Sequence, residues 1–206
     1  MKLEDMLGRE VLVFDGAMGT MLQARGLAPG ACPDVWNLER PEDVIAVHRA
    51  YVEAGAQILE TNTFGSTPIR LGHYGLQDRC RDLVVAGVRC AREAAAGRAW
   101  VAGSMGPLGA LVEPLGELSF DEAYAQFAVQ ARAFAEAQPD FIIIETIADL
   151  NELRAAVLAC RDHAPGIRII AQITLDPSGR AFTGTDPETA ALVLQSLGAD
   201  VIGFNC

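Results

Sequence analysis

Short runs of apolar, often β-branched residues alternate along this chain with longer segments in which apolar positions recur every three or four residues. The first pattern fits strands buried on both faces and the second fits amphipathic helices, so the alternation predicts βαβ units around a parallel sheet. Six strands are predicted, at Val11 to Phe14, Gln57 to Thr61, Ala99 to Gly103, Asp140 to Ile144, Arg168 to Thr174 and Asp200 to Phe204. The intervening segments carry helix punctuation. Pro41 sits at a first helical position, Glu42 and Asp43 suit the positive end, and Gly55 can close the helix. Ser119 and Glu122 have capping-box spacing ahead of an apolar stripe at Phe120, Tyr124, Phe127, Ala131 and Phe134. Asp149 with Glu152 predicts a similar start, and Asp186-Pro187 opens a last helix that ends at Gly198.

A (β/α)8 barrel and an open doubly wound sheet both produce such a pattern. No G-x-G-x-x-G or P-loop follows the first strand, which favours the barrel. No low-complexity tract divides the chain, so residues 1–206 are expected to form one domain. Eight βα units typically need about 250 residues. About six units are present here, and the expectation is an incomplete TIM-type barrel lacking its C-terminal quarter.

Charge narrows the partners. Sixteen basic against 27 acidic residues give a net charge of −11, which argues against nucleic acid or an anionic membrane surface and favours a small-molecule ligand. Met1 to Arg9 lacks the apolar core of a secretory signal, and the most apolar run, Phe141 to Ile144, is far too short to span a bilayer. A soluble cytoplasmic protein is expected. The five cysteines, at 32, 80, 90, 160 and 206, include no C-x-x-C pair and read as reduced thiols, with Cys80, Cys90 and Cys160 as buried helix residues.

In barrel enzymes the reactive groups lie at the C-terminal ends of the strands. Those ends are polar here: Asp15 to Thr20, Glu60 to Phe64, Ser104 to Pro107, Glu145-Thr146, Thr174 with Asp176, and Asn205-Cys206. Asp15-Gly16 alone is a common turn pair, but Asp15 could also meet an ammonium group while backbone N–H groups of its small-residue loop bind a carboxylate. Glu145 ends an intensely apolar strand, where a carboxylate is costly unless paired or facing a polar cavity. Two such carboxylates also fit a glycosidase pair or half of a magnesium site. Cys206 fits buried filler, a nucleophile or a metal ligand. His48 shares an inward helical stripe with Val44 and Tyr51 and reads as packing; His73 and His163 have no partner at ligand spacing.

Taken together, DGAMGT (15–20), NLERPEDVIAVHRAYVEAGAQILETNTFGST (37–67), GSMGP (103–107), FIIIETIADLNEL (141–153), TGTDPE (183–188) and GFNC (203–206) resemble the homocysteine S-methyltransferases. Within that family they are most similar to the N-terminal module of cobalamin-dependent methionine synthases. The resemblance implies a (β/α)8 barrel that binds homocysteine, with zinc held by three cysteine thiolates. Cys206 matches one of these, and the other two belong to a glycine-rich Cys-Cys loop that this chain does not contain. It further implies that Asp15 and Glu145 hold the homocysteine amino group, and that backbone N–H groups around Ala17 and Met18 hold its carboxylate. Glu60, Asn62, Met105 and Asn205 are expected to line the same mouth without assigned roles.

By the same resemblance, zinc would favour the homocysteine thiolate, which attacks a methyl group carried by cobalamin, with 5-methyltetrahydrofolate as ultimate donor, to give methionine. Cobalamin-binding and folate-binding domains would be partners within the full protein. Three other readings stay open: a stand-alone relative using S-methylmethionine or betaine, a catalytically inactive fragment, and an unrelated phosphate-binding barrel.

Overall fold

A computed structural model describes residues 9–206. Of the stretch Met1 to Arg9, read above as lacking a secretory signal, all but Arg9 lies outside the described residues. Five parallel strands, β1 (Ile58–Glu60), β2 (Trp100–Met105), β3 (Phe141–Ile147), β4 (Arg168–Ile173) and β5 (Val201–Phe204), form one sheet in sequence order. Helices cover its outer face: α1 (Gly19–Gln23), α2 (Trp36–Glu39), α3 (Pro41–Ala54), α4 (Pro68–Gly72), α5 (Cys80–Ala95), α6 (Phe120–Ala137), α7 (Leu150–His163) and α8 (Pro187–Ser196). No described helix is long and apolar enough to cross a membrane.

Helix punctuation behaves largely as the sequence predicts. Pro41 opens α3 and Gly55 ends it at φ 106°, a left-handed conformation that costs glycine little. Ser119 and Glu122 form a reciprocal capping box, and the Asp186 carboxylate accepts from Thr189 N–H at 2.8 Å. Two expectations need correction. The first predicted strand, Val11 to Phe14, is reduced to a bridge between Phe14 and Ile58. Val13 O accepts from Gln57 and Ile58, but Val11 and Val13 are 90% and 53% exposed, because among the described residues the segment has a neighbour on one side only. Glu152 does not return to cap its own helix: Asp149 caps Asn151 N–H alone. Glu152 is instead buried and accepts from Leu108 N–H at 2.6 Å, and burial pushes its carboxyl up to about 7.

Residues on a strand alternate between faces. Leu59, Val101, Ile142, Ile144, Ile169 and Ala171 pack into the large core beneath the helices. Ile58, Ala102, Phe141, Ile143 and Ile170 form a second apolar cluster on the opposite, inner face. The register sets Ala102 beside Phe141 and Ile143 beside Ile170, so this cluster is a floor across the strands.

Candidate active site

One step of two residues beyond that floor, the inner face turns polar. Ile58 is followed by Glu60, Ala102 by Ser104, Ile143 by Glu145 and Ile170 by Gln172, and Asn205 follows β5. All five line one cleft of about 570 Å³, together with Asp15, Gly16, Ala17, Met18, Asn62 and others. Strand alternation thus builds the site: the same periodicity that buries the isoleucines places polar groups at the C-terminal rim.

Glu145 Oε1 accepts from Ser104 Oγ at 2.7 Å, and Asn205 Nδ2 approaches Oε2 at 3.4 Å. Burial, set against the Ser104 hydrogen bond, raises the Glu145 carboxyl above its ordinary value. Glu60 is pushed up to about 8, first by burial and then by the charges of Glu145 and Asp15. No basic side chain is among the groups acting on either carboxyl. Arg70 also borders the cleft, but its charge acts on Asp34 and Glu152, so Glu60 and Glu145 share the cleft without a basic partner of their own.

Asp15 also borders the cleft, but its side chain is only 1% exposed. Its Oδ1 accepts from Glu60 N–H at 3.0 Å, while Oδ2 faces His48 Nδ1 at 3.7 Å. The loop after it is shaped by Tyr51, whose hydroxyl donates to Ala17 O at 2.9 Å. Gly16 permits that approach, since a Cβ there would stand 3.0 Å from the Tyr51 hydroxyl. Ala17 and Met18 lead into the first turn of α1, where backbone N–H groups lack intrahelical acceptors.

Asn62 borders the cleft, but its amide is committed to Pro33 O at 2.8 Å and Asn37 Oδ1 at 3.0 Å. Met105 is a correction. It follows inward-facing Ser104, so alternation turns it to the helix side, fully buried in the core with Cys160 Sγ 3.9 Å away. Ser104 and Gln172 were not singled out from the sequence, although counting in twos from the apolar run would have found both. Asp34 has no signal in strand spacing, because it lies in a short turn between α1 and α2; it is buried beside the cleft and accepts from Ser66 Oγ at 2.5 Å.

Cys206 is exposed and opens on an adjoining cavity of about 610 Å³, which shares Asn205 with the main cleft. The Asn205 amide clamps Thr146, accepting from its N–H at 2.9 Å and donating to its Oγ1 at 3.0 Å. Thr146 is held at φ 60°, an uncommon conformation for a β-branched residue, where the β3–β4 register shifts. Cys206 Sγ lies 3.6 Å from Thr146 Oγ1. No group of three or more His, Cys, Asp or Glu among the described residues could hold a metal. Cys206 alone does not make a zinc site. Cys80 and Cys90 cannot assist, being buried in α5 with thiols pushed by burial up to about 12 and about 11.

The raised Glu60 carboxyl has a measurable consequence. Between its ordinary 4.5 and about 8, the folded chain holds a proton that the unfolded chain has released, so this contribution is full at low pH and lost as pH rises through about 8. Glu60→Gln should therefore stabilise the chain at pH 9 by about 1–3 kcal/mol, the scale of a buried charge without a partner. At pH 5 the difference should be within about 0.5 kcal/mol. Urea unfolding at both pH values checks this; an equal gain at each would exclude ionisation as its cause.

Comparison with known proteins agrees with this architecture. Residues 12–206 match the homocysteine S-methyltransferase family. Methionine synthase from Mycobacterium tuberculosis is 36% identical, over 99% of this chain and 18% of that protein; the Mycobacterium leprae protein is 34% identical over the same shares. The chain thus spans under a fifth of the length of these relatives. The homocysteine methyltransferase MmuM from Escherichia coli, in its metallated form, superposes with a TM-score of 0.84 at 27% identity, over 99% of this chain and 77% of that one. Its oxidised form gives 0.86 at 26% identity. With an inner polar rim on a parallel α/β barrel sheet and a match from residue 12 to residue 206, this chain belongs to the homocysteine S-methyltransferase family.

Proposed function

We propose that the cleft binds L-homocysteine as methyl acceptor for the formation of methionine. The observation that carries this reading is the pair of half-buried carboxyls, Glu60 and Glu145, facing one cleft whose Arg70 acts on Asp34 and Glu152 instead of on either of them. An α-ammonium group supplies the missing charge. Glu145 and Asp15 hold it, and Glu60, whose backbone N–H donates to Asp15, borders the same pocket. Backbone N–H groups around Ala17 and Met18 take the carboxylate. These residues bind and orient; none of them is required to move a proton in the methyl transfer.

Cys206 is proposed as one thiolate of a zinc site in the whole protein, where zinc supplies a lowered thiol pKa to the acceptor sulfur. The remaining donors, and the cobalamin-binding and folate-binding domains that deliver the methyl group, would lie outside this chain. Higher identity to the mycobacterial methionine synthases than to MmuM supports methylcobalamin, with 5-methyltetrahydrofolate behind it, over S-methylmethionine or betaine. Five free cysteines fit a reducing cytoplasm.

Titration calorimetry tests the reading. L-Homocysteine and L-methionine are expected to bind, whereas 4-mercaptobutyrate, which lacks the ammonium group, is expected to bind at least tenfold more weakly. Equal affinity for 4-mercaptobutyrate, or displacement of homocysteine by a sugar phosphate, would refute the assignment. A second expectation concerns metal. Equilibrated with zinc and desalted, this chain should retain well under one equivalent by elemental analysis, unchanged by Cys206→Ser. Retention of one equivalent that disappears on that substitution would mean the chain holds a complete site.

A further inference from the structure

Behind the cleft lies a contact, between Asp15 and His48, that substrate binding does not explain. Phe14 packs with the inner cluster, so Asp15, the next residue of an extended segment, sends its side chain toward α3. There it meets His48, whose side chain is 0% exposed. Asp15 Oδ2 and both ring nitrogens of His48 have no hydrogen-bond partner, yet Oδ2 and Nδ1 face each other at 3.7 Å. A buried polar group left unpaired costs about 1–3 kcal/mol. Two ordinary hydrogen bonds to one water place its partners about 4.5–5 Å apart, so a separation of 3.7 Å favours direct contact over a water bridge. A direct bond needs an approach of only about 0.7 Å.

We propose that His48 is a positioning residue for the amino-group pocket: it donates Nδ1–H to Asp15 Oδ2 and so fixes the carboxylate that holds the Glu60 backbone. The relay runs from α3 through Asp15 Oδ1 to Glu60 N–H at 3.0 Å, and Glu60 carries its own carboxyl into the cleft. His48 touches no substrate in this scheme. The inference rests on the homocysteine reading for its functional readout but not for its structural one.

Two measurements on this chain decide it. Long-range 1H–15N correlation spectra should show His48 with its proton on Nδ1; a neutral ring protonated on Nε2 alone overturns the proposal without any substitution. In calorimetry, His48→Leu should weaken L-homocysteine binding about tenfold or more, and His48→Asn, which keeps a donor near the Nδ1 position, should stay within about threefold of the unsubstituted chain. Added to Asp15→Asn, His48→Leu should cost little further affinity, because both changes break one link. Equal losses for the leucine and asparagine variants, additive losses with Asp15→Asn, or unchanged affinity with a lowered melting temperature would make His48 a packing residue. Failure of the unsubstituted chain to bind any amino acid would sink the homocysteine reading, and the tautomer would still decide the Asp15–His48 link.

Discussion

Glu145→Ala is expected to weaken L-homocysteine binding about a hundredfold, without loss of thermal stability. Removing one member of a buried charge pair typically costs 2–5 kcal/mol in affinity, and about 2.7 kcal/mol is a hundredfold. In the empty cleft the same carboxylate is a burden. Burial raises its pKa against the opposing hydrogen bonds of Ser104, at 2.7 Å, and Thr146, and Asn205 approaches at 3.4 Å. Its loss should leave the melting temperature unchanged or higher. Calorimetry and thermal melts on the same sample separate the two effects. Undiminished affinity would remove Glu145 from the binding site, and a collapse of the melt together with affinity would assign it a structural role.

The largest effect on stability is expected at Asn37, far from any solvent. This side chain is fully buried, donates to Asn62 O at 2.7 Å and Leu83 O at 3.1 Å, and accepts from Asn62 Nδ2 at 3.0 Å. It ties the end of α2 to the loop after β1 and to α5. Asn37→Ala opens a cavity, takes the donor from Asn62 O and leaves Asn62 Nδ2 with Pro33 O alone, a combination expected to cost about 3 kcal/mol. For a chain of this size that lowers the melting temperature by roughly 6–12 °C. Because Asn62 borders the cleft, ligand affinity should fall with it, though less than for Glu145→Ala. A loss below about 1 kcal/mol in urea unfolding would show that the network contributes little.

Much of this architecture was legible from the amino-acid order, for identifiable reasons. Phe141 to Ile144, continuously apolar between helical segments, fits an interior parallel strand and is buried on both faces, and the Ser119–Glu122 pair announces its helix by local chemistry alone. What local pattern cannot supply is a neighbour. Val11 to Phe14 has every local property of a strand, but ladder pairing depends on what lies alongside, and the described chain offers only β1. Glu152 likewise has capping spacing yet bonds to Leu108, 44 residues away in sequence. Glu60, Glu145 and Asn205 border the cleft because each lies at a strand end, whereas Met105, one position out of phase with Ser104, points into the core. His48 read as packing on the strength of its stripe. Its proximity to Asp15 comes from folding α3 against the segment that precedes it, a juxtaposition of residues 33 positions apart that spacing does not reveal.

The Asn205 clamp on Thr146 has a consequence for ligand length. Glu145 and Thr146 end one strand, Asn205 and Cys206 follow another two places away in the sheet, and the amide locks the two ends together across β4. On the proposed reading, the anchor for the amino group and the thiolate near the sulfur are the two marks of a rigid ruler. Cysteine, one methylene shorter than homocysteine, can reach one mark but not both. A single methylene is worth about 10- to 200-fold in selectivity, and here it would be measured by the amide that fixes the spacing of the two strand ends.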